Sequence, residues 1–402
     1  MVTIGRVALV ATLTLGAALP AAGQIDSTTR RGVKDPRVAA WQAAVRTHVQ
    51  AKIDEPLTTV AAWPTDAFDR VLKVVLPDED AAFLARALVL HTDIALAQRT
   101  LPETPPPSGG PVAVVVIDGQ RTRTVTRSPH WAVARRIAAE LVKQSGPDPA
   151  AIVAAWYRAS CALMQEWGDL DTLEAQLEAG VALFGRDPVL ALQRGTLHQA
   201  FGDARLADYA RERRALTAMR RNGIGTVASI GGRNASRPDA SASGLSASRA
   251  ELNVAEREFR RALALDPTLH EARIRLAHVL SQLGNDRQAV EVVQPAAEAD
   301  LPPFSAFYAA MILGRSQEHL GRFAEAGAAY DRAASHTGGA QSAEIGRSRV
   351  ALAQGRPAEA LTIVTAVTAQ GVSPRDDPWT VYFRFHDPDA ETLMLAWRER
   401  VK

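Results

Sequence analysis

Five glycines recur along the chain at intervals that limit the fold more than any other feature. Gly168, Gly202, Gly284, Gly321 and Gly355 are separated by 34, 82, 37 and 34 residues. Small and large residues keep step with them. Leu276, Ala277 and Leu280 precede Gly284, and Ala289, Val293 and Ala296 follow it. The next unit has Leu313-Gly314, Gly321, Ala326, Tyr330 and Ala333, and the one after has Gly355, Ala360 and Val364. Upstream, Ala255, Phe259, Ala262 and Pro267 fit a second helix and its terminating proline. The pattern predicts helix–turn–helix units. Small residues let two helices approach, the large residue four positions on fills the gap between units, glycine turns the chain and proline stops the second helix. One such unit cannot bury its apolar face alone, so the units must stack.

The 34-residue period and these positions resemble the tetratricopeptide repeat family. The resemblance is specific over 252–367. It is weaker over 154–221, where Gly168, Gly195 and Gly202 fit but Leu173 and Ala207 match the small-residue position imperfectly. The 82-residue interval holds a Gly/Ser-rich insertion, and the 37-residue interval holds Leu301-Pro302-Pro303. The family resemblance implies an all-α solenoid that binds a protein or peptide partner without catalysis. It also implies that first-helix residues line a concave groove. By that mapping Glu271, Arg275, His278, Tyr308, Arg315, Glu318 and Arg349 are the groove candidates. The basic and amide pattern that clamps a C-terminal carboxylate in chaperone-binding relatives is not evident.

Composition agrees with a stacked array. A chain of 402 residues is too long for one ordinary spherical core. With 47% apolar residues and a net charge of +2 it is not a disordered chain. The same near-neutral charge argues against a nucleic-acid binder. The single cysteine, Cys161, excludes an internal disulfide framework and any multi-cysteine metal site. It sits among Ala159, Ala162 and Leu163 and reads as a small buried apolar residue.

Residues 1–23 read as a secretory signal peptide. Arg6 is the positive end, Val7–Leu19 the apolar run, and Ala21-Ala22-Gly23 the small residues before a cut at Gln24. The expected mature protein is soluble, exported to the periplasm or medium, and without an integral membrane segment. Residues 24–150 form a helical N-terminal region. It opens at Asp35-Pro36, with a stripe of Val38, Trp41, Val45 and Val49, and has helices near 65–76 and 78–99. Pro-rich residues 102–111 precede a hairpin over 112–127, signalled by Asp118-Gly119 between β-branched runs. Degenerate repeats occupy 151–221, a mobile insertion 222–249 and clear repeats 250–369. The segment 370–402 is predicted to cap the stack. Leu393 and Trp397 lie on its last helix, and Trp379, Tyr382, Phe383 and Phe385 help it dock.

Chemical motifs are sparse. The nine histidines show no His-Glu-x-x-His and no ligand-like spacing, so no metal and no cofactor is expected. His91 and Asp93 lie two apart on one helix and cannot meet. Gly223-Ile224-Gly225 follows an arginine-rich helix end rather than a strand, and no Gly-Lys-Ser/Thr follows it. There is no Gly-x-Ser-x-Gly elbow. Arg205, Arg211, Arg213, Arg214, Arg220 and Arg221, then Arg233 and Arg237, are partly offset by Asp203, Asp208 and Glu212 and read as a solvated face. The leading expectation is therefore an exported scaffold. Its alternatives are an enzyme with a site near Glu140, His130 or His91, or a structural subunit of an envelope assembly. Nothing in the sequence sets an oligomeric state.

Overall fold

The computed structural model describes residues 36–48, 79–100, 113–117, 120–125, 128–221, 240–336, 340–369, 377–382 and 390–401. The signal peptide expected at 1–23, the helix expected at 65–76, the Pro-rich 102–111 and residues 222–239 of the expected insertion lie outside them.

The N-terminal half begins with α1 (Pro36–His48) and α2 (Ala81–Thr100). Pro36 is the first residue of α1, and the Asp80 carboxylate caps α2 by accepting from the Phe83 N–H at 2.7 Å. Two strands, β1 (Ala113–Ile117) and β2 (Gln120–Val125), pair antiparallel, with Val116 opposite Arg121 and Ile117 opposite Gln120. Their Asp118-Gly119 connection lies outside the described residues. Then follow α3 (His130–Leu141), α4 (Pro147–Trp167) and α5 (Leu170–Leu183). Helix α2 has the length and composition of a membrane span over Ala81–Gln98, where the sequence reading expects no integral membrane segment. Here 67% of that stretch is buried in the protein.

The repeats are α6 (Pro188–Arg221) with α7 (Ala240–Leu265), α8 (His270–Gln282) with α9 (Asp286–Ala297), α10 (Pro303–His319) with α11 (Phe323–His336), and α12 (Gln341–Ala353) with α13 (Pro357–Ala369). A one-turn helix α14 (Pro378–Tyr382) and a last helix α15 (Ala390–Val401) complete the chain.

Four turns share one geometry. Gly168, Gly284, Gly321 and Gly355 have φ of +69°, +86°, +71° and +75°, a left-handed backbone that glycine adopts without penalty. In each, the N–H of the residue after glycine reaches back to a carbonyl five residues earlier, as Asn285 does to Leu280 at 2.8 Å and Arg322 to Gln317 at 2.9 Å. The position seven before each turn is small and buried: Cys161, Ala277, Gly314 and Ser348. Cys161 is thus a packing residue of the α4–α5 pair, and burial pushes its thiol well up.

Gly202 corrects the predicted register. It is not a turn. Helix α6 runs straight through it, and Leu252 of α7 packs on it so closely that an added Cβ would lie 2.8 Å from the leucine side chain. Gly195 faces Phe259 as Gly314 faces Tyr330. The first pair is 64 residues apart and the second 16, so 48 residues are inserted between the two helices of this repeat. The 82-residue interval exceeds a 34-residue period by the same 48. Both helices lengthen across the insertion, and the Ser248 hydroxyl donates to the Gly202 carbonyl at 2.8 Å. Residues 240–249, expected to be a mobile insertion, are helical.

The predicted cap is also corrected. Ala390, Met394 and Trp397 of α15 join the N-terminal core of α1–α5, against α4 and α2, not the last repeat. The Trp397 indole N–H donates to the Ile152 carbonyl at 3.1 Å, and Arg398 reaches Asp93 at 2.8 Å. The end of the stack is correspondingly bare. Phe259, Val293 and Tyr330 are fully buried at the gap-filling position, whereas its equivalent Val364 on α13 is 41% exposed, beside Leu361 at 68%.

Candidate functional site: the inner face of the repeats

The first helices of the pairs, α6, α8, α10 and α12, present polar and aromatic residues on a shared face. Four of the seven groove candidates converge there. Arg275 of α8 is buried, with Nε on Glu271 at 2.7 Å and Nη1 on Gln199 of α6 at 3.5 Å. His278, one turn on, is 2% exposed. Burial, then Arg315 and Arg275, lowers its pKa to about 3, so the imidazole is neutral. Tyr308 of α10 completes the group.

These residues hold a stretch of the chain itself. The Arg275 guanidinium lies 4.5 Å above the Tyr382 ring, and the Tyr382 and Tyr308 ring centroids are 3.9 Å apart. The Tyr308 hydroxyl donates to the Pro378 carbonyl at 2.6 Å. Trp379 meets His278 edge to face at 5.8 Å. Asp377 caps two helices: Oδ1 accepts from the Trp379 N–H and Oδ2 from the Ser342 N–H at the start of α12, both at 2.9 Å. Burial raises the pKa of both Tyr308 and Tyr382, so both hydroxyls stay protonated.

The other three candidates sit apart. Glu318 accepts from Nε and Nη2 of Arg349, each at 2.8 Å, and from the Tyr330 hydroxyl at 2.7 Å. This clamp joins α10, α11 and α12. The Arg349 and Tyr330 hydrogen bonds hold the Glu318 carboxyl below its usual range against its burial. Arg315 is exposed on α10 and close enough to act electrostatically on His278 and on Asp203 of α6. Asp203, accepting from Gln282 at 2.5 Å, has its carboxyl pushed up to about 6 by burial. Asp203, Gln199 and Asp377 were not signalled by the repeat pattern. Trp379 and Tyr382 are expected from the sequence to help the C-terminal segment dock, but periodicity does not say which face they cover.

Of the residues named for an enzyme in the N-terminal region, His91 and His130 are buried in the core and Glu140 is on its surface. The Trp41 indole donates to His91 Nε2 at 2.9 Å, and His91 Nδ1 lies 2.9 Å from His130 Nδ1. Burial, then His130 and His48, holds the His91 pKa well below the usual range. Neutral His91 therefore carries its proton on Nδ1 and donates to His130. Asp93 pairs instead with His48 at 2.9 Å and Arg398. Glu140 pairs with Lys143 at 2.8 Å. Among the described residues no group of three or more metal-ligating side chains converges. The side chains of the arginine run from Arg205 to Arg237 lie outside the described residues.

No protein-family model matches the chain, and no curated protein matches its sequence. Solved structures do. MamA of AMB-1 is 18% identical, covering 54% of this chain and 99% of its own, with a TM-score of 0.37. Pseudomonas aeruginosa PilF is 12% identical over 61% of this chain and 88% of its own, at 0.38. Human IFIT1, solved as a dimer with m7Gppp-AAAA, is 13% identical over 84% and 63%, at 0.33. At such scores the assignment rests on the turn motif, the period and the packing. By these the chain has a tetratricopeptide-like helical-repeat fold.

Proposed function

We propose that the protein is an exported, non-catalytic scaffold that binds a protein or peptide partner on the inner face of its repeats. One observation carries this reading: the groove candidates Arg275, His278 and Tyr308 already grip a six-residue length of polypeptide, through a cation–ring contact, ring stacking and a carbonyl hydrogen bond. A face that binds the protein's own chain in this manner is chemically suited to bind another's. The burial of His91 and His130 and their contact with each other speak against a catalytic site built on those two residues. Near-neutral charge favours protein over nucleic acid as the partner.

A photo-reactive side chain at Arg315, exposed on a first helix, should cross-link a protein partner in the native host, whereas one at Arg287, exposed on the second helix α9, should not. Equal capture from both positions, or none from Arg315, contradicts the reading. Export rests on the pattern of residues 1–23. N-terminal sequencing of protein from the culture envelope or medium should begin at Gln24; an N-terminus at Met1 contradicts export by cleavage.

A further inference from the structure

The segment 377–382 belongs to no repeat, yet it is held on the repeats by several specific contacts. Helices within the stack meet chiefly through alanine, glycine and large apolar residues, with polar pairs such as Glu318–Arg349 added. Residues 377–382 are held by an ion cap, a tyrosine hydroxyl on a peptide carbonyl and a guanidinium on a ring. A single helical turn has no stability of its own, so these contacts are what place it. They come from α8, α10 and the first backbone N–H groups of α12, three successive first helices. Were the segment withdrawn, Arg275, His278 and Tyr308 would form an open polar and aromatic pocket beside the N-terminus of α12. Trp379 is only partly buried, so the occupied face is reachable at its edge.

We infer that this face recognises a short protein segment bearing an acidic residue followed by aromatic residues two and five positions on, and that Asp377-Pro378-Trp379-Thr380-Val381-Tyr382 is the chain's own copy of that ligand, which a partner displaces. The inference rests on the scaffold reading and adds the partner's chemistry and a built-in competitor. The acid caps α12, the first aromatic ring meets His278 and the second lies between Arg275 and Tyr308. A tethered ligand acts at an effective concentration on the order of a millimolar, so a free ligand of similar affinity must outcompete it. Apparent affinity is the intrinsic affinity multiplied by the fraction of molecules that are open.

The test uses the full chain and a fluorescein-labelled peptide of residues 374–385, PRDDPWTVYFRF. Fluorescence polarisation should show the peptide binding W379A/Y382A roughly ten-fold or more tighter than the wild-type chain. Adding Arg275→Ala to the opened chain should abolish that gain. A peptide with Asp377→Asn, Trp379→Ala and Tyr382→Ala should not bind. Equal binding to the wild-type and opened chains, no binding to a helical W379A/Y382A, or equal binding of the substituted peptide overturns the proposal. Should circular dichroism show W379A/Y382A unfolded, Asp377→Ala serves instead, since it weakens only the chain's own segment by removing its cap on Ser342 and leaves the face intact. It should bind the peptide several-fold better than wild type, and no gain overturns the proposal. If the peptide fails while Arg315 still cross-links a partner, the displacement idea falls alone. If the peptide binds and Arg315 captures nothing, the recognition chemistry stands and the scaffold reading falls.

Discussion

Tyr330 is packed between Gly314 of its own repeat and Gly346 of the next. A Cβ at either glycine would lie 2.9 or 2.7 Å from its ring. These glycines serve as space rather than as turns. Gly346→Ala should therefore cost about 1–3 kcal/mol by overpacking, read as a lower urea midpoint. An unchanged midpoint would mean that the ring has room to move. His278 gives a second prediction at this scale. Its folded pKa of about 3 lies below the ordinary value near 6.5, so the unfolded chain takes up the proton first as pH falls. Stability should then drop by about 1.4 kcal/mol per pH unit from this group as pH falls through the window from about 6.5 to 3. His278→Gln should remove that slope between pH 6 and 4. A slope the same as wild type would show that His278 is not held neutral.

At the scale of elements, the long helices α6 and α7 are one ordinary repeat pried open at its turn. Deleting residues 203–250 removes the 48 inserted residues and leaves Gly202 five positions before Ala255, the spacing of Gly284 and Ala289. The shortened chain should keep a cooperative unfolding transition and its helical spectrum, with Gly202 becoming a turn. Loss of cooperative unfolding would show that the insertion supports the stack. The sequence made the repeats legible because Ala255, Ala289, Ala326 and Ala360 must recur for the helices to pack. It could not place Gly202, because a glycine aligned with the turn position looks the same whether the helix stops or runs on. Nor could it assemble the inner face. Arg275, His278 and Tyr308 were readable from their repeat positions, but Asp377, Trp379 and Tyr382 belong to no repeat, and a contact between residues some 70–100 apart has no local signal.

At the scale of the whole molecule, the chain folds back on itself. After the last repeat it crosses the inner face at 377–382 and ends against α4 and α2 of the first core. Trp397 is the anchor of that return, and Arg398 completes a buried group with Asp93 and His48. Trp397→Ala should cost about 3–5 kcal/mol locally. Hydrogen exchange should rise in α2 and α4 while α12 and α13 stay unchanged; faster exchange confined to α12 and α13 would restore the role of a cap on the stack. The predicted cap failed because an amphipathic final helix shows that it must dock but not on which apolar surface.

On the proposed reading, the inner face is a protein-binding site held closed by the chain's own segment. That reading is tested most directly by hydrogen exchange on the full chain with and without the partner captured through Arg315. Protection should rise in α8, α10 and the start of α12 and fall in residues 377–382. Protection confined to α9, α11 and α13, with 377–382 unchanged, would contradict it.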